Sequence, residues 1–162
     1  MEEKTRGRTL PRWEELPDLE LYMDQLLGLT ARYLSPFPGF DEKGLTAAMV
    51  NNYVKQGVVP PPVKKRYGRE QLSQLLIVCL MKSGFPIPAI RRLLAGEQER
   101  HTPEELYNVF CDRFEAAVRE AEEDAVREDE SVYAAILRPA LRAQAQRALA
   151  LRRFGEAFPE EE

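Results

Sequence analysis

The strongest constraint on the fold of this chain is a run of three consecutive prolines, Pro60 to Pro62, shortly after Gly57. Proline has a fixed φ and no backbone N–H, so this run cannot lie inside a helix and holds the chain extended. Glycine favours the left-handed conformation that follows many helices. The sequence therefore predicts that a helix ends near Gln56 and that an extended connection follows it.

Helical periodicity lies on both sides of the prolines. Thr46 can cap a helix that runs to Gln56, since its hydroxyl can accept a first-turn amide. After the prolines, 63–67 is predicted to be a short extended segment. A helix over 69–84 is apolar almost all round, which is typical of a central helix. A short helix follows over 88–96, with proline in its first turn.

The remaining elements lie towards the two ends of the chain. Residues 1–15 are polar and are predicted to be flexible, although Trp13 could pack back onto the domain. A helix is predicted to start near Pro17. The sequence Thr102-Pro103-Glu104-Glu105 is a capping box that opens a further helix. A last helix covers about 131–157, and Pro139 is predicted to kink or interrupt it.

Charge is distributed unevenly along a chain whose net charge is -4. Residues 43–92 carry nine basic and one acidic side chains, a net charge of +8, whereas 1–42 carry -4 and 93–162 carry -8. A polyanion responds to the local field, so an acidic total does not exclude nucleic acid as a partner.

The basic side chains lie on and beside the predicted extended segment. Duplex DNA is a dense line of negative charge, and a DNA-binding surface needs lysines and arginines that converge on one face. An asparagine on the preceding helix can pair with adenine or donate to phosphate. A solvated basic loop is the alternative interpretation. Arg91 and Arg92 are weaker candidates, for which a phosphate contact and a solvated face are equally open. The predicted DNA-contacting residues are Thr46, Asn51, Asn52, Tyr53, Lys55, Lys64, Lys65, Arg66, Tyr67 and Arg69.

These motifs resemble the winged helix-turn-helix of the MerR family of bacterial transcription regulators. That resemblance implies a recognition helix, a basic wing that contacts the DNA backbone, and a dimer. The residues that carry it are Tyr53, Lys55, Gly57, Pro60 to Pro62, Lys65, Tyr67, Leu72, Gly84, Phe85, Ile90, Leu93 and Leu94.

A second resemblance covers more of the chain. Leu21 to Gln25, Met49 to Lys55 and Pro60 to Tyr67 resemble the motifs of a bacterial family described as a domain of unknown function, whose members are treated as MerR-like. Asn51 and Asn52 stand where MerR proteins usually carry an arginine and a tyrosine. This departure replaces a phosphate clamp by a possible base-reading pair.

The fold class we expect is all-α with a small β wing. A MerR-like winged helix-turn-helix domain is predicted over 16–98 and a C-terminal helical hairpin over 99–158. The apolar stripes of that hairpin suggest packing on a second copy, so we expect a homodimer, and packing onto the core is the alternative.

Several site classes have no support in the sequence. The only histidine, His101, has no partners for a catalytic dyad or triad, and no metal-ligand spacing, phosphate loop or cofactor motif is present. We therefore expect neither an enzyme, a metal site nor a cofactor. Cys79 and Cys111 are expected to be buried free thiols. The chain has no apolar run long enough to span a membrane and no signal-peptide core at its N-terminus, so we expect a cytoplasmic protein without a membrane partner.

Two functions remain open at this stage. The first is a DNA-binding transcription regulator, and the alternative is a winged-helix protein–protein interaction module that does not bind DNA. An effector molecule is unknown. Aromatic residues of the C-terminal hairpin offer one possible site, although such a stripe is usually core, and they are Tyr107, Phe110, Phe114 and Tyr133.

Overall fold

A computed structural model describes residues 8–40, 44–125, 127 and 130–159. The described part of the chain is almost entirely helical, which confirms the all-α prediction. Its elements, in chain order, are a 3-10 turn (Trp13–Glu15), α1 (Met23–Leu34), α2 (Ala47–Lys55), α3 (Arg69–Met81), α4 (Ile87–Gln98), α5 (Pro103–Ala125) and α6 (Val132–Ala157).

Helix α3 is the centre of the core. Every residue from Gln71 to Leu80 is buried, as its nearly continuous apolar sequence predicts. Helices α1 and α4 both pack against α3, and α2 packs against α1. The core thus surrounds one helix.

The strand structure is smaller than the predicted β wing. It consists of two isolated antiparallel bridges, Leu21 with Tyr67 and Val63 with Arg66, among the residues that the structure describes. Leu21 and Tyr67 exchange both backbone hydrogen bonds, at 2.7 and 2.9 Å. This pairing also explains why the helix predicted to start near Pro17 begins only at Met23: the chain before it is extended.

Helix starts follow the local signals in the sequence. The Thr46 hydroxyl accepts the Met49 amide at 3.2 Å, as predicted. At the start of α5, the Thr102 hydroxyl accepts the Glu105 amide and the Glu105 carboxylate accepts the Thr102 amide. The hydrogen bond from the Thr102 amide holds the pKa of the Glu105 carboxyl below its usual value. Both capping predictions are confirmed.

Residues 10–13, which we call the N-terminal strap, lie along the first half of α5. The Arg12 guanidinium contacts both carboxylate oxygens of Glu115, at 2.8 and 2.9 Å, and the Asp112 carboxylate at 2.8 Å. The Tyr107 hydroxyl donates to the Pro11 carbonyl at 2.8 Å, and the Asn108 side chain accepts the amide of the strap's last residue. Leu10 is buried. Residues about a hundred positions later in the sequence hold the strap, so the flexibility predicted for 1–15 does not extend to it, and Trp13 packs back onto the domain.

The chain divides into two compact units, Met1–Glu115 and Ala116–Glu162. The division lies inside α5 and differs from the predicted boundary between 98 and 99, because the first half of α5 packs with the strap. The second unit contains the end of α5 and all of α6.

Helix α6 continues through Pro139 without interruption. The Ser131 hydroxyl caps its start by accepting the Ala134 amide at 3.2 Å. The interruption considered for Pro139 is thus not observed. No helix in the described ranges is long and apolar enough to cross a membrane.

Candidate nucleic-acid interface

Helix α2 separates a buried face from an exposed one. Val50 and Tyr53 point into the core. The other face is open to solvent and carries short or flexible side chains. Its exposed residues are Ala48, Asn51, Asn52 and Lys55, with the exposed cap Thr46 at the start of the helix.

The end of α2 is a Schellman motif. Gly57 has φ +73°, its amide bonds the Val54 carbonyl at 3.0 Å, and the Val58 amide bonds the Tyr53 carbonyl at 3.0 Å. These two bonds satisfy carbonyls that the helix leaves without partners and fix the direction in which the chain departs. The left-handed glycine predicted from the sequence is confirmed.

One buried glutamine ties the proline run to the start of α3. The Gln71 amide nitrogen donates to the Pro61 carbonyl at 3.0 Å, and its oxygen accepts the Gly68 amide at 2.8 Å. The two bonds bracket the segment from Pro61 to Gly68 and close it into a loop. The loop's position relative to α3 is therefore set by a side chain that the sequence reasoning did not single out.

At the tip of this loop is a two-residue hairpin, 63–66, which we call the basic turn. Val63 and Arg66 exchange backbone hydrogen bonds at 3.0 and 2.9 Å. The two central residues, Lys64 and Lys65, have φ of 49° and 61°. Positive φ at both central positions is the mark of a type I′ turn. Both lysines are exposed.

Two arginines predicted to contact DNA have structural partners in the N-terminal region. The Arg66 guanidinium lies 4.0 Å from the centre of the Tyr22 ring. Arg69 donates from Nε to the Leu16 carbonyl at 3.0 Å and lies 6.0 Å from the Trp13 ring centre. Both side chains are half-buried. These contacts brace the basic turn and the start of α3, and the contact of these two arginines with DNA stays a prediction.

Two tyrosines of the predicted set are also structural. Tyr53 and Tyr67 are 5% and 4% exposed. Tyr67 follows the basic turn directly and is paired through its backbone with Leu21. The predicted contact of Tyr67 with DNA has no support in this placement, because the buried ring anchors the loop.

The structure places Arg91, one of the two weaker basic candidates, at this surface. A methyl group placed on Gly57 would lie 3.7 Å from the Arg91 Nε, so the exposed Arg91 of α4 extends over the end of α2. From the sequence alone, a phosphate contact and a solvated face are equally open for this side chain.

The exposed cations of this surface are not neutralised by nearby carboxylates. Across residues 8–40, 44–125, 127 and 130–159, no carboxylate lies within 4.0 Å of the charged groups of Lys55, Lys64, Lys65 or Arg91. The acidic residues that do form ion pairs are at the strap, at the end of α4 and in the second unit. Within those ranges, ion pairs therefore do not offset the positive charge of these four side chains.

The aromatic residues considered for an effector are packed against other aromatic rings. Phe110 stacks on Phe114 with ring centres 6.0 Å apart, and Phe37 and Phe40 meet Phe114 edge-on at 5.1 and 5.3 Å. Tyr107 is fully buried, and burial raises the pKa of its hydroxyl. Phe37 and Tyr107 belong to the core of the first unit, and Phe110 and Phe114 are half-buried beside it. Tyr133 belongs to the second unit.

The two cysteines are buried thiols that form no disulfide within the described part of the chain, as predicted. Burial raises the pKa of the Cys111 thiol to about 11, so this thiol is protonated near neutral pH and is a poor nucleophile. In the described residues, no group of three or more His, Cys, Asp or Glu side chains is arranged to hold a metal ion.

A scan of protein families matches residues 11–110 to a domain of unknown function, DUF1836. The match covers more than half of the 162 residues. This chain belongs to the DUF1836 family. The DUF1836 match begins within the strap and ends within the first half of α5. Searches of curated proteins and of solved structures found no match.

Proposed function

We propose that this DUF1836 protein binds duplex DNA as a MerR-like winged helix-turn-helix protein and acts as a transcription regulator. In this proposal the exposed face of α2 enters the major groove and the basic turn contacts the adjacent phosphates. The observation that carries the proposal is the basic turn itself. Its two exposed lysines stand at the tip of a hairpin whose backbone is fixed from both ends.

The dimensions and chemistry of α2 support its role as the reading element. A helix of nine residues is about 13 Å long, and its width suits a major groove about 12 Å wide. Asn51 and Asn52 are exposed on its outward face. An asparagine can form two hydrogen bonds with adenine, whereas a lysine at the helix end, such as Lys55, suits a phosphate.

The surroundings of α2 support a phosphate-binding role for the cations beside it. Arg91 extends over the end of α2, and Lys64 and Lys65 lie on the loop that leaves it. None of the three has a carboxylate partner in the ranges described above. The Arg66 guanidinium packs on the Tyr22 ring and thereby stabilises the basic turn.

The test measures binding to a duplex of random sequence by fluorescence anisotropy, over a series of salt concentrations. The variant is Lys64→Ala/Lys65→Ala, which leaves Arg66 in place because Arg66 packs on Tyr22. Each phosphate contact contributes about -0.9 to the slope of log K against log salt. We expect the variant to bind more weakly to every sequence, with a slope about two units flatter.

The matched control is Arg152→Gln/Arg153→Gln, which removes the same charge from exposed positions of α6. We expect this control to keep the parent slope to within about half a unit. Equal slopes for the parent and the lysine variant would contradict the proposed role of the basic turn. A parent protein that does not bind DNA at low salt would reject DNA binding altogether and favour the protein-interaction alternative.

A further inference from the structure

Three helices of the first unit border a cavity that the candidate nucleic-acid interface does not use. Its volume is about 220 Å³. Its floor is apolar and buried, and consists of Ile77 of α3, Leu94 of α4 and Leu106 of α5. Met81 and Phe110, both half-buried, line its walls. We call this space the three-helix cavity.

The interior of the three-helix cavity suits an apolar group better than it suits water. A buried water molecule needs about two to four polar partners, and the side chains of the floor offer none. An apolar cavity of about 150 Å³ is large enough to hold benzene. Sites for drug-sized molecules begin at roughly 300 Å³, so a cavity of 220 Å³ takes a ligand of roughly ten non-hydrogen atoms. It is too small for a helix or strand of another protein.

One charged side chain at the rim of the cavity has no opposite charge beside it. Arg113 of α5 is exposed, and no carboxylate in the described part of the chain lies within 4.0 Å of its guanidinium. The rim also carries Glu97, whose carboxylate lies 3.6 Å from the Nε2 of His101. The guanidinium is therefore the charged group of the rim that is left to a ligand.

A guanidinium at the edge of an apolar cavity selects a carboxylate. Its planar set of N–H donors matches the two oxygens of a carboxylate, and the resulting hydrogen bonds are charge-assisted. A cationic ligand has less support, because proteins bind organic cations between several aromatic faces. Among the described residues that line the cavity, Phe110 has the only benzene ring.

We propose that the three-helix cavity binds a small monocarboxylic acid. The apolar part of the acid lies on the floor between α3, α4 and α5, and its carboxylate pairs with Arg113. The proposal does not depend on DNA binding, since no residue that lines the cavity belongs to α2 or to the basic turn.

The test titrates the full-length protein with phenylpropionate and follows the methionine methyl groups by NMR. Met81 lines the cavity, whereas Met23 and Met49 lie in α1 and α2. We expect the Met81 methyl resonance, assigned with Met81→Leu, to shift saturably with a dissociation constant of roughly 0.1–1 mM, which is ordinary for a ligand of this size. The resonances of Met23 and Met49 are internal controls, and we expect them not to shift.

Two further probes separate the role of the carboxylate from that of the apolar part. Phenylpropanamide and phenylpropylamine keep the apolar part and lack the negative charge, and we expect both to bind the parent at least about fivefold more weakly. We expect Arg113→Gln to weaken the binding of phenylpropionate by the same factor and to leave the binding of the amide unchanged. The matched control, Arg119→Gln, removes the same charge from another exposed position of α5, and we expect it to keep the parent affinity.

Three results would each overturn the proposal. The first is the lack of a saturable Met81 shift with phenylpropionate at concentrations up to roughly 10 mM. The second is equal affinity of the parent for the acid and the amide, which would indicate a cavity that takes apolar molecules of any charge. The third is an Arg113→Gln variant that binds phenylpropionate as tightly as Arg119→Gln does. The comparison of the acid with the amide uses the parent protein, so it decides the ligand class even if a variant fails to fold.

Discussion

Two adjacent lysines occupy the tip of the basic turn in a conformation that lysine rarely adopts. Lys64 and Lys65 have φ of 49° and 61°. A left-handed conformation costs a residue with a side chain roughly 1–2 kcal/mol, and asparagine followed by glycine is the usual sequence at these two positions. Strain of this kind is often retained where a side chain has a function. If the two lysines serve DNA binding, stability and binding oppose each other at this turn.

We therefore expect Lys64→Asn/Lys65→Gly to stabilise the protein while it weakens DNA binding. Relief of strain contributes up to about 2 kcal/mol, and the added freedom of glycine in the unfolded chain offsets about half of that. The expected net gain of about 1 kcal/mol raises the Tm by roughly 2–4 °C. Thermal unfolding and DNA titration of the same samples give both quantities.

Lys64→Ala/Lys65→Ala is the matched control for the turn. It removes the same charges but keeps a Cβ at both left-handed positions, so we expect weaker DNA binding without any gain in stability. If the Asn-Gly variant is no more stable than the alanine variant, the turn is not strained. If it binds DNA as tightly as the parent, the lysines do not contact DNA.

At the residue scale, the sequence predicts which side chains are exposed better than it predicts which contacts they make. The exposure of Lys64 and Lys65 follows from their position in a short hairpin after a proline run. The bracing of Arg66 by Tyr22, and of Arg69 by the Leu16 carbonyl, depends on tertiary contacts across 44 and 53 residues of sequence. Such contacts leave no periodic signal, so these side chains could not be separated from the exposed lysines.

At the element scale, the features set by neighbouring residues were predicted and those set by distant ones were not. The cap at Thr46 and the glycine stop at Gly57 each involve residues within five positions, and both were found. The start of α1 was misplaced because Leu21 pairs with Tyr67, 46 residues later. The predicted β wing is larger than the observed one for a related reason. An extended segment forms strand pairing only where another extended segment lies beside it.

The junction between α2 and the proline run depends on one backbone conformation. Gly57 has φ +73°, and a Cβ there would meet Arg91 Nε only at an ordinary contact distance of 3.7 Å. The cost of Gly57→Ala is therefore backbone strain, and we expect a loss of about 1–2 kcal/mol of unfolding free energy. Denaturant unfolding with circular dichroism measures this loss.

Gly28→Ala is the matched control for that substitution. Gly28 lies within α1, is exposed, and has open space where a Cβ would stand. We expect the same chemical change to stabilise the protein there by about 0.5–1 kcal/mol, because alanine is the better helix residue. If both substitutions change the unfolding free energy in the same direction, the left-handed conformation of Gly57 does not determine the effect of Gly57→Ala.

At the scale of the whole molecule, the first compact unit is larger than the domain predicted over 16–98. The strap and the first half of α5 both belong to it. Their contacts include the bidentate ion pair of Arg12 with Glu115 and the hydrogen bond that the Tyr107 hydroxyl donates to the Pro11 carbonyl. The range matched by DUF1836, 11–110, agrees with this larger unit. Hydrophobic periodicity located the helices, but it contains no information on which end of the chain packs along α5.

The unit boundary is testable with two fragments. A fragment over 1–115 keeps the strap with its partners, and we expect it to unfold in one cooperative transition. A fragment over 16–98 lacks the strap and α5, and it thereby loses the buried Leu10, Leu106, Tyr107 and Cys111. At roughly 1.5 kcal/mol or more for each buried apolar side chain, the loss is about 6 kcal/mol, comparable to the whole stability of many domains. We therefore expect the shorter fragment to lack a cooperative thermal transition by circular dichroism and to have little amide protection in α3. A cooperative transition for 16–98 at the same temperature as for 1–115 would show that the strap and α5 pack on a core that is already complete without them.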